Sequence, residues 1–451
     1  MQNAGVAGAG GAGFPSYAKL NAAADTIILN CAECEPLLKL HRQVLAKYAN
    51  EILATLTVIA DAVEADNIII AVKPHYKEAV DAVKANLASY PKARIGLLPE
   101  VYPAGDEVVT IYETTGRVVK PGALPITVGV TVFNVETVYN IYRALHEAAP
   151  VTDKYITITG AVKNPVTLKA PLGCTYGELI ALAGGATVSD YKLVGGGPMT
   201  GRIVSESDVV TKTSNAIIVL PSDHNVIRKK SASIKIDMKR AMAACCQCRM
   251  CTDLCSRNLL GHPIEPHAFM RGASTGATSN IKPFLDTMFC SQCGICEMYA
   301  CGQGLSPRTL IGEYKNGLRA SGVKPDPNAV LAPVDTARFG KLIPVDRLTA
   351  RLGLAEYDKP APIAANDVKA SSVKIMLGQC IGVPAAASVK VGDTVKDGDV
   401  VGSAAEGKLS MPVHASLAGK VAEVTAKYVV IRAYRTVFHT IDKFKKRKQI
   451  K

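Results

Sequence analysis

Residues 8–36 begin Gly8-Ala-Gly10-Gly11-Ala-Gly13-Phe14-Pro15, place Lys19 shortly after, and reach Asn30-Cys-Ala-Glu33-Cys34-Glu35-Pro36. The glycines formally match G-x-G-x-x-G, yet a dinucleotide fingerprint needs a strand before it and a helix straight after it. Only seven residues precede Gly8, and Phe14-Pro15 interrupts the chain directly after the glycines, so the Rossmann reading fails. Pro15 suits the first turn of a helix running to Lys19 and Leu20. A glycine run reaching a helix N-terminus still cradles phosphate, because its amides approach closely and the helix dipole favours anions. Lys19 adds a charge.

Working outward, apolar runs alternate with helical periodicity. Thr26 to Leu29 reads as a strand, and Leu45, Ile52, Leu56, Ile59 and Val63 recur at near-helical spacing. Ile68 to Val72 is a β-branched run, Tyr76 to Leu87 a helix, Ile95 to Leu98 a strand, Val128 to Val132 a strand and Val135 to Leu145 a helix. This alternation predicts an α/β layer over 1–150. A second unit, 151–232, has an alternating strand Tyr155 to Val162, a short helix Tyr176 to Ala183 closed by Gly184-Gly185, and Val194 leading into Gly195-Gly-Gly-Pro198. That order predicts a small α+β module of β-grasp type. Residues 323–370 are rich in Pro and Ala and read as a connector. Residues 371–436 carry short β-type runs broken by Val391-Gly-Asp and Asp397-Gly-Asp turns, predicting a compact all-β unit. A basic tail occupies 437–451.

The unit at 233–322 holds the cysteines. Thirteen cysteines in 451 residues are too few for a small secreted disulfide scaffold, but nine of them fall between Cys245 and Cys301. Cys245, Cys248, Cys251 and Cys255 give C-x2-C-x2-C-x3-C, the spacing of a bacterial ferredoxin run. Cys290, Cys293, Cys296 and Cys301 give C-x2-C-x2-C-x4-C. In two-cluster ferredoxins the fourth cysteine of a run ligates the other cluster. One 4Fe-4S cluster is therefore expected on Cys245, Cys248, Cys251 and Cys301, the other on Cys290, Cys293, Cys296 and Cys255. Two zinc sites would also use four cysteines each, but zinc motifs show separated pairs rather than three cysteines in one short loop. Cys246 is a spare thiol, able to exchange with Cys245 if the loop register differs. Ser256 and Gly302 stand where a proline often follows the last cysteine.

Taken with Tyr102-Pro-Ala-Gly105-Asp106-Glu107, Thr115-Gly-Arg117 and Asn134-Val-Glu136-Thr137, the opening stretch resembles the flavin- and NADH-binding subunit of respiratory complex I. It is closer still to the RnfC electron-transfer subunits, whose pattern reads GxGGAxFPxxxKL and then NxxECEP. The resemblance implies FMN, with Gly8, Gly10, Gly11 and Lys19 holding its phosphate. It places Asn30, Glu33, Gly105, Glu107, Asn134 and Thr137 along the ribityl chain and ring. Phe14, Glu35 and Asp106 would meet the nicotinamide nucleotide, with Glu35 and Glu107 as candidate catalytic carboxylates. It also explains Cys34 without thiol chemistry at Cys31-x2-Cys34. Cys174 and Cys380 stand alone and read as small apolar residues.

Residues 152–200 resemble an SLBB module, and 375–432 a barrel-sandwich hybrid without an obvious lipoylation turn. The implied fold class is multidomain α/β plus α+β: a complex I flavin-subunit-like α/β domain, an SLBB β-grasp module, a ferredoxin-like two-cluster helical domain and an all-β barrel-sandwich hybrid. In RnfC proteins the barrel-sandwich comes first; here it comes last, the order of the cobalamin reductases of propanediol-utilization microcompartments. That implies an NADH-dependent oxidoreductase passing electrons from FMN through two 4Fe-4S clusters to cobalamin. No D-x-H-x-x-G string is present, so cobalamin is expected to bind transiently or on a partner, a cobalamin adenosyltransferase. His262, His267 and His414 are candidate cobalt ligands, though a lone His is more often structural. Rival readings are an RnfC-like subunit exchanging electrons with a ferredoxin-like or membrane partner, and a conduit or shell-docking subunit without its own nucleotide. The lead-in helix usual before the glycine run is absent, leaving Met1 open as an internal start.

Composition narrows the setting. At 48% apolar and 20% charged residues, the chain can bury a sizeable core, which excludes global disorder. The start has neither a basic n-region nor an apolar h-region, so no secretory signal is read. No run of about 18 apolar residues suggests a membrane span. Closely spaced thiols fit a reducing cytoplasm, and the resemblance adds a microcompartment with a possible shell protein partner. The net charge of +13 is partly the tail, and no nucleic-acid module accompanies it, so no nucleic-acid partner is expected.

Overall fold

The computed structural model describes residues 1–277 and 279–434; the basic tail expected over 437–451 lies outside them. The first domain is a parallel sheet of β1 (Thr26–Cys31), β2 (Asn67–Val72), β3 (Ala93–Leu97) and β5 (Val130–Asn134) in the order β3-β2-β1-β5, with the short β4 (Val101–Tyr102) outside it. β1 is buried on both faces, as a parallel strand between helix layers should be. Ile27, Leu29 and Cys31 share a core with helices Leu40–Lys47, Ala49–Ala62, Lys77–Asn86 and Val135–His146. Ile28 packs on the other side with Val108, Val109 and Ile111 of helix Glu107–Thr115.

The strand order reverses beside β1, since β2 and β3 lie on one side and β5 on the other. Open parallel sheets bind ligands outside the carboxyl ends of strands at such a reversal. Asn30 and Asn134 face each other in register at that point. The glycine run comes before the sheet and is followed by a single 3-10 turn, Ser16–Lys19.

The second domain orders β6 (Asp153–Gly160), β7 (Val166–Pro171), β8 (Tyr191–Gly195), β9 (Arg202–Val204) and β10 (Ala216–Pro221) as β7-β6-β10-β8-β9, with β6 and β10 parallel. Its helix Tyr176–Leu182 opens on a capping box between Thr175 and Glu178. The third domain packs helices Ile234–Ala244, Pro266–Thr275 and Pro307–Ala320 around Phe269, Leu310 and Ile311.

The connector does more than link. β11 (Ile343–Pro344) pairs antiparallel with β4, and Leu348, Leu352 and Leu354 bury against the flavin-side core. Pro and Ala content suggests irregular chain here, but those leucines give the segment an apolar face to bury. The last unit stacks a sheet of β12 (Ser372–Met376), β14 (Thr394–Val395), β17 (Gly419–Val424) and β18 (Tyr428–Ala433) with one of β13 (Ala386–Ala387), β15 (Val400–Ser403) and β16 (Val413–His414). Among the described residues no helix is long and apolar enough to cross a membrane.

Candidate functional site

At the strand reversal lies a cavity of about 230 Å³. Gly10, Asn30, Glu33, Glu35, Gly105, Asp106 and Asn134 of the flavin motifs line it. Gly8, Gly11, Phe14, Lys19, Glu107 and Thr137 stand outside that lining. Asn30 Nδ2 donates to the Gly105 carbonyl at 3.0 Å, and the Ala32 amide donates to Asn30 Oδ1 at 3.1 Å. Asn134 caps helix Val135–His146 through the Glu136 amide. Glu33 sits at a φ of +38°, a strained conformation for a side chain of its size. Its carboxylate is fixed by the His41 amide at 2.7 Å and the Arg42 amide at 3.2 Å.

The glycine loop is buttressed from beneath. The Ala9 amide donates to Thr137 Oγ1 at 2.8 Å. A Cβ on Gly10, whose φ is +81°, would run into the Asn215 side chain, whereas one on Gly11 would meet nothing within 4 Å. Gly10 is thus required by packing, and Gly11 leaves open space for an approaching group. Lys19 Nζ lies 3.4 Å from Glu107 Oε1 and 2.7 Å from the Val132 carbonyl. Glu35 accepts from the Met199 and Thr200 amides, each at 2.8 Å, and from Thr200 Oγ1 at 2.5 Å. Thr200, just after the Gly195-Gly-Gly-Pro turn, and Asn215 thus bring the β-grasp domain to the cavity wall. Asp106 caps helix Glu107–Thr115 and is paired with Arg257.

The cysteine domain contributes Ser291 and Cys293 to the same lining. Tyr102 Oη donates to the Cys293 carbonyl at 2.6 Å. Cys245, Cys248, Cys251 and Cys301 line one small cavity of about 30 Å³, with Cys246 beside them. Cys255, Cys290, Cys293 and Cys296 lie within electrostatic reach of one another. Gln247, Arg249, Gln292 and Gly294 take positive φ between the cysteines, curling each loop about its thiols. Burial pushes the Cys251 and Cys255 thiols up to about 12, and Cys293 up to about 11. A cationic iron–sulfur core would offset that desolvation by binding the thiolates. Among the described residues no trio of His, Cys, Asp or Glu converges on a single metal ion. The all-sulfur donor set suits iron–sulfur ligation.

The remaining candidates are buried or engaged in protein contacts. Cys31 and Cys34 are buried, and desolvation pushes Cys34 up to about 12, against redox use of the pair. His262 is buried with Nε2 at 3.0 Å from the Val119 carbonyl, His414 is buried, and His267 Nδ1 lies 2.9 Å from Thr252 Oγ1. Sequence reading did not anticipate His41, Thr200, Asn215 or Arg257 at the site. All four reach it from outside the quoted motifs, three of them from later domains or strands.

Family models match along the chain in the same order as these domains. They are a Nuo51 FMN-binding domain over 1–143, an SLBB domain over 155–203, a 4Fe-4S dicluster domain over 244–306 and an RnfC barrel sandwich hybrid domain over 355–442. Fold and site together define an oxidoreductase of the complex I flavin-subunit type, combining an FMN-binding domain with a 4Fe-4S dicluster domain. The chain is 41% identical over 432 residues to cobalamin reductase PduS of Citrobacter freundii, covering 96% of this chain and 95% of that protein. The Salmonella typhimurium cobalamin reductase PduS is 40% identical over the same shares. The chain belongs to the PduS cobalamin reductase family. A subunit of the ion-translocating oxidoreductase complex of Erwinia tasmaniensis is 31% identical over 277 residues, 60% of this chain and 33% of that protein. A crystal structure of an NAD+-reducing NiFe-hydrogenase in the H2-reduced state aligns at 20% identity and a TM-score of 0.46, covering 72% of this chain and 61% of that one.

Proposed function

We propose that the protein is an NADH-dependent flavin and iron–sulfur reductase that delivers electrons to cobalamin, taking cob(III)alamin to cob(II)alamin and cob(I)alamin. The observation that carries this reading is near full-length likeness to two cobalamin reductases. The cavity adds support, because flavin-motif residues and Cys293 share its walls. Bound FMN would supply the conversion from one hydride, a two-electron donor, to single electrons, and 4Fe-4S clusters would carry those one at a time.

The chain's own residues divide the work. Gly8, Gly10, Gly11 and Lys19 bind the FMN phosphate. Asn30, Glu33, Gly105, Asn134 and Thr137 orient the ribityl chain and ring, with Glu107 holding Lys19. Phe14, Glu35 and Asp106 meet the nicotinamide nucleotide. The clusters take the interleaved sets, Cys245, Cys248, Cys251 and Cys301, and Cys255, Cys290, Cys293 and Cys296. Cobalamin binds transiently and passes to an adenosyltransferase, within a propanediol-utilization microcompartment whose shell is a further contact. An RnfC-like exchange with a ferredoxin is the lesser reading, since the ion-translocating relative matches only 60% of the chain.

The test is anaerobic FMN- and cluster-loaded protein with NADH and hydroxocobalamin. Cob(II)alamin spectra are expected. Their failure to form, while artificial acceptors are reduced, overturns the cobalamin assignment. A flavin that NADH does not bleach overturns the NADH assignment.

A further inference from the structure

The two cysteine loops share one seven-residue pattern. Cys245-Cys-Gln247-Cys248-Arg-Met-Cys251 and Cys290-Ser-Gln292-Cys293-Gly-Ile-Cys296 both read C-x-Q-C-x-x-C. In both, the glutamine has a positive φ, +55° at Gln247 and +62° at Gln292, a region that residues other than glycine rarely enter. In both, the glutamine side chain turns back onto the first thiol of its loop. Gln247 Nε2 donates to Cys245 Sγ at 3.2 Å, and Gln292 Nε2 donates to Cys290 Sγ at 3.3 Å. Gln292 adds its backbone N–H to the same sulfur, also at 3.3 Å. Its amide is further held by its surroundings: Arg308 Nε donates to the Gln292 carbonyl at 3.2 Å, and the side chain lies over Gly312, where a Cβ would come within 3.0 Å of Oε1. Gln247, by contrast, is exposed and fills no core.

We propose that Gln247 and Gln292 are positioning residues that raise the reduction potential of their respective clusters by donating N–H groups to a ligand sulfur. This rests on the assignment of Cys245 and Cys290 as cluster ligands. One-electron reduction adds negative charge that is shared by the sulfurs. A donor fixed on a sulfur therefore stabilises the reduced form more than the oxidised one and lifts the potential. Each glutamine supplies one side-chain donor, that of Gln292 in a half-buried loop and that of Gln247 where water competes, so the Gln292 side chain has the larger effect, its backbone N–H being common to wild type and variants.

The experiment is an anaerobic redox titration followed by EPR on FMN- and cluster-loaded protein, comparing wild type with Gln292→Met, Gln292→Glu and Gln247→Met. Methionine keeps the length and removes the donor; glutamate replaces it with a repelling charge. Gln292→Met should lower the midpoint of one cluster and leave the other and the flavin in place, at unchanged iron and sulfide content. Gln292→Glu should lower the same midpoint further. Gln247→Met should lower the other cluster's midpoint by a smaller amount. Unchanged midpoints at full iron content overturn the proposal. Loss of iron from the variants also overturns it, because the glutamines would then be building the loops rather than tuning them. Zinc in place of iron and sulfide in the wild type defeats the cluster assignment itself, and is seen before any variant is made.

Discussion

Arg257 sets one guanidinium nitrogen against both carboxylate oxygens of Asp106, at 2.8 and 2.9 Å. The cysteine domain thereby grips the N-cap of the flavin-domain helix Glu107–Thr115. Both side chains are largely buried, at 17% and 10% exposure. Replacing Arg257 with Met strands a carboxylate whose remaining donors are the Val108 and Val109 amides. The expected cost is about 3 kcal/mol, the lower end for breaking a buried pair. The thermal midpoint should fall, and stopped-flow traces should show normal flavin bleaching by NADH with slowed cluster reduction. Unaltered cluster kinetics would make the pair a structural clasp alone.

A second pair joins the flavin and β-grasp domains. Lys154 and Glu136 are paired at 0% and 1% exposure. Glu136 Oε1 also accepts the Tyr155 amide at 3.0 Å, and Lys154 Nζ donates to Asn215 Oδ1 at 3.2 Å. Asn215 in turn fills the space against Gly10. Lys154→Met leaves Glu136 charged in the interior, at a cost of roughly 3–5 kcal/mol, whereas Lys154→Met with Glu136→Leu should recover much of it. Melting curves with and without FMN should show the single variant losing both stability and its gain from FMN. Equal melting of the single and double variants would deny the coupling.

How much of this is legible in the sequence depends on how local each signal is. The glycine run, Asn30-to-Pro36 and Asn134-to-Thr137 lie on β1, the end of β5, the start of helix Val135–His146 and the loops beside them, so their order reveals the flavin domain and much of the cavity. The cysteine spacings do the same for the loops around the thiols. Contacts between domains leave no local mark. Thr200 reaches Glu35 across 165 positions, and Arg257 reaches Asp106 across 151, through residue types common on any surface. The connector's structure escapes sequence reading for a related reason. Its strand Ile343–Pro344 has two residues and acquires its shape only by pairing with Val101–Tyr102.

Lys19 offers a direct test of the phosphate site. Its ammonium bridges Glu107 and the Val132 carbonyl beside the glycine loop. A charge-assisted contact to phosphate contributes about 1.5–3 kcal/mol, so Lys19→Ala should raise the FMN dissociation constant roughly 10- to 150-fold. Fluorescence titration of the apoprotein reads this. Unchanged affinity would move the phosphate away from Lys19.

Acid should loosen the protein through its buried histidines. Burial pushes both His262 and His414 down to about 4, helped by Arg257 beside the first and Lys212 beside the second. In the unfolded chain each titrates near about 6.5. Between these values the unfolded state binds more protons, so stability is full above the upper value and falls as pH drops through the window. Thermal midpoints should therefore decline from about pH 6.5 toward pH 4, and His262→Gln should flatten that decline. An equal slope in the variant would assign the acid sensitivity to other groups.

Cys293 occupies the position where the cluster assignment and the flavin cavity meet. It lines the cavity, and its carbonyl is held by Tyr102. On the proposed set of Cys255, Cys290, Cys293 and Cys296 for one of two clusters, Cys293→Ala should remove about half of the iron and sulfide. FMN should stay, because Gly10, Asn30 and Asn134 lie on the glycine loop, β1 and β5, outside the cysteine domain. NADH should then still bleach the flavin while cob(II)alamin formation collapses. Cys246→Ser is the matched control: this thiol is exposed beside the first loop, and its loss should leave iron unchanged. Iron lost from Cys246→Ser but kept in Cys245→Ser would show the loop in the alternative register, with Cys246 as the ligand and the Gln247 contact falling on a free thiol.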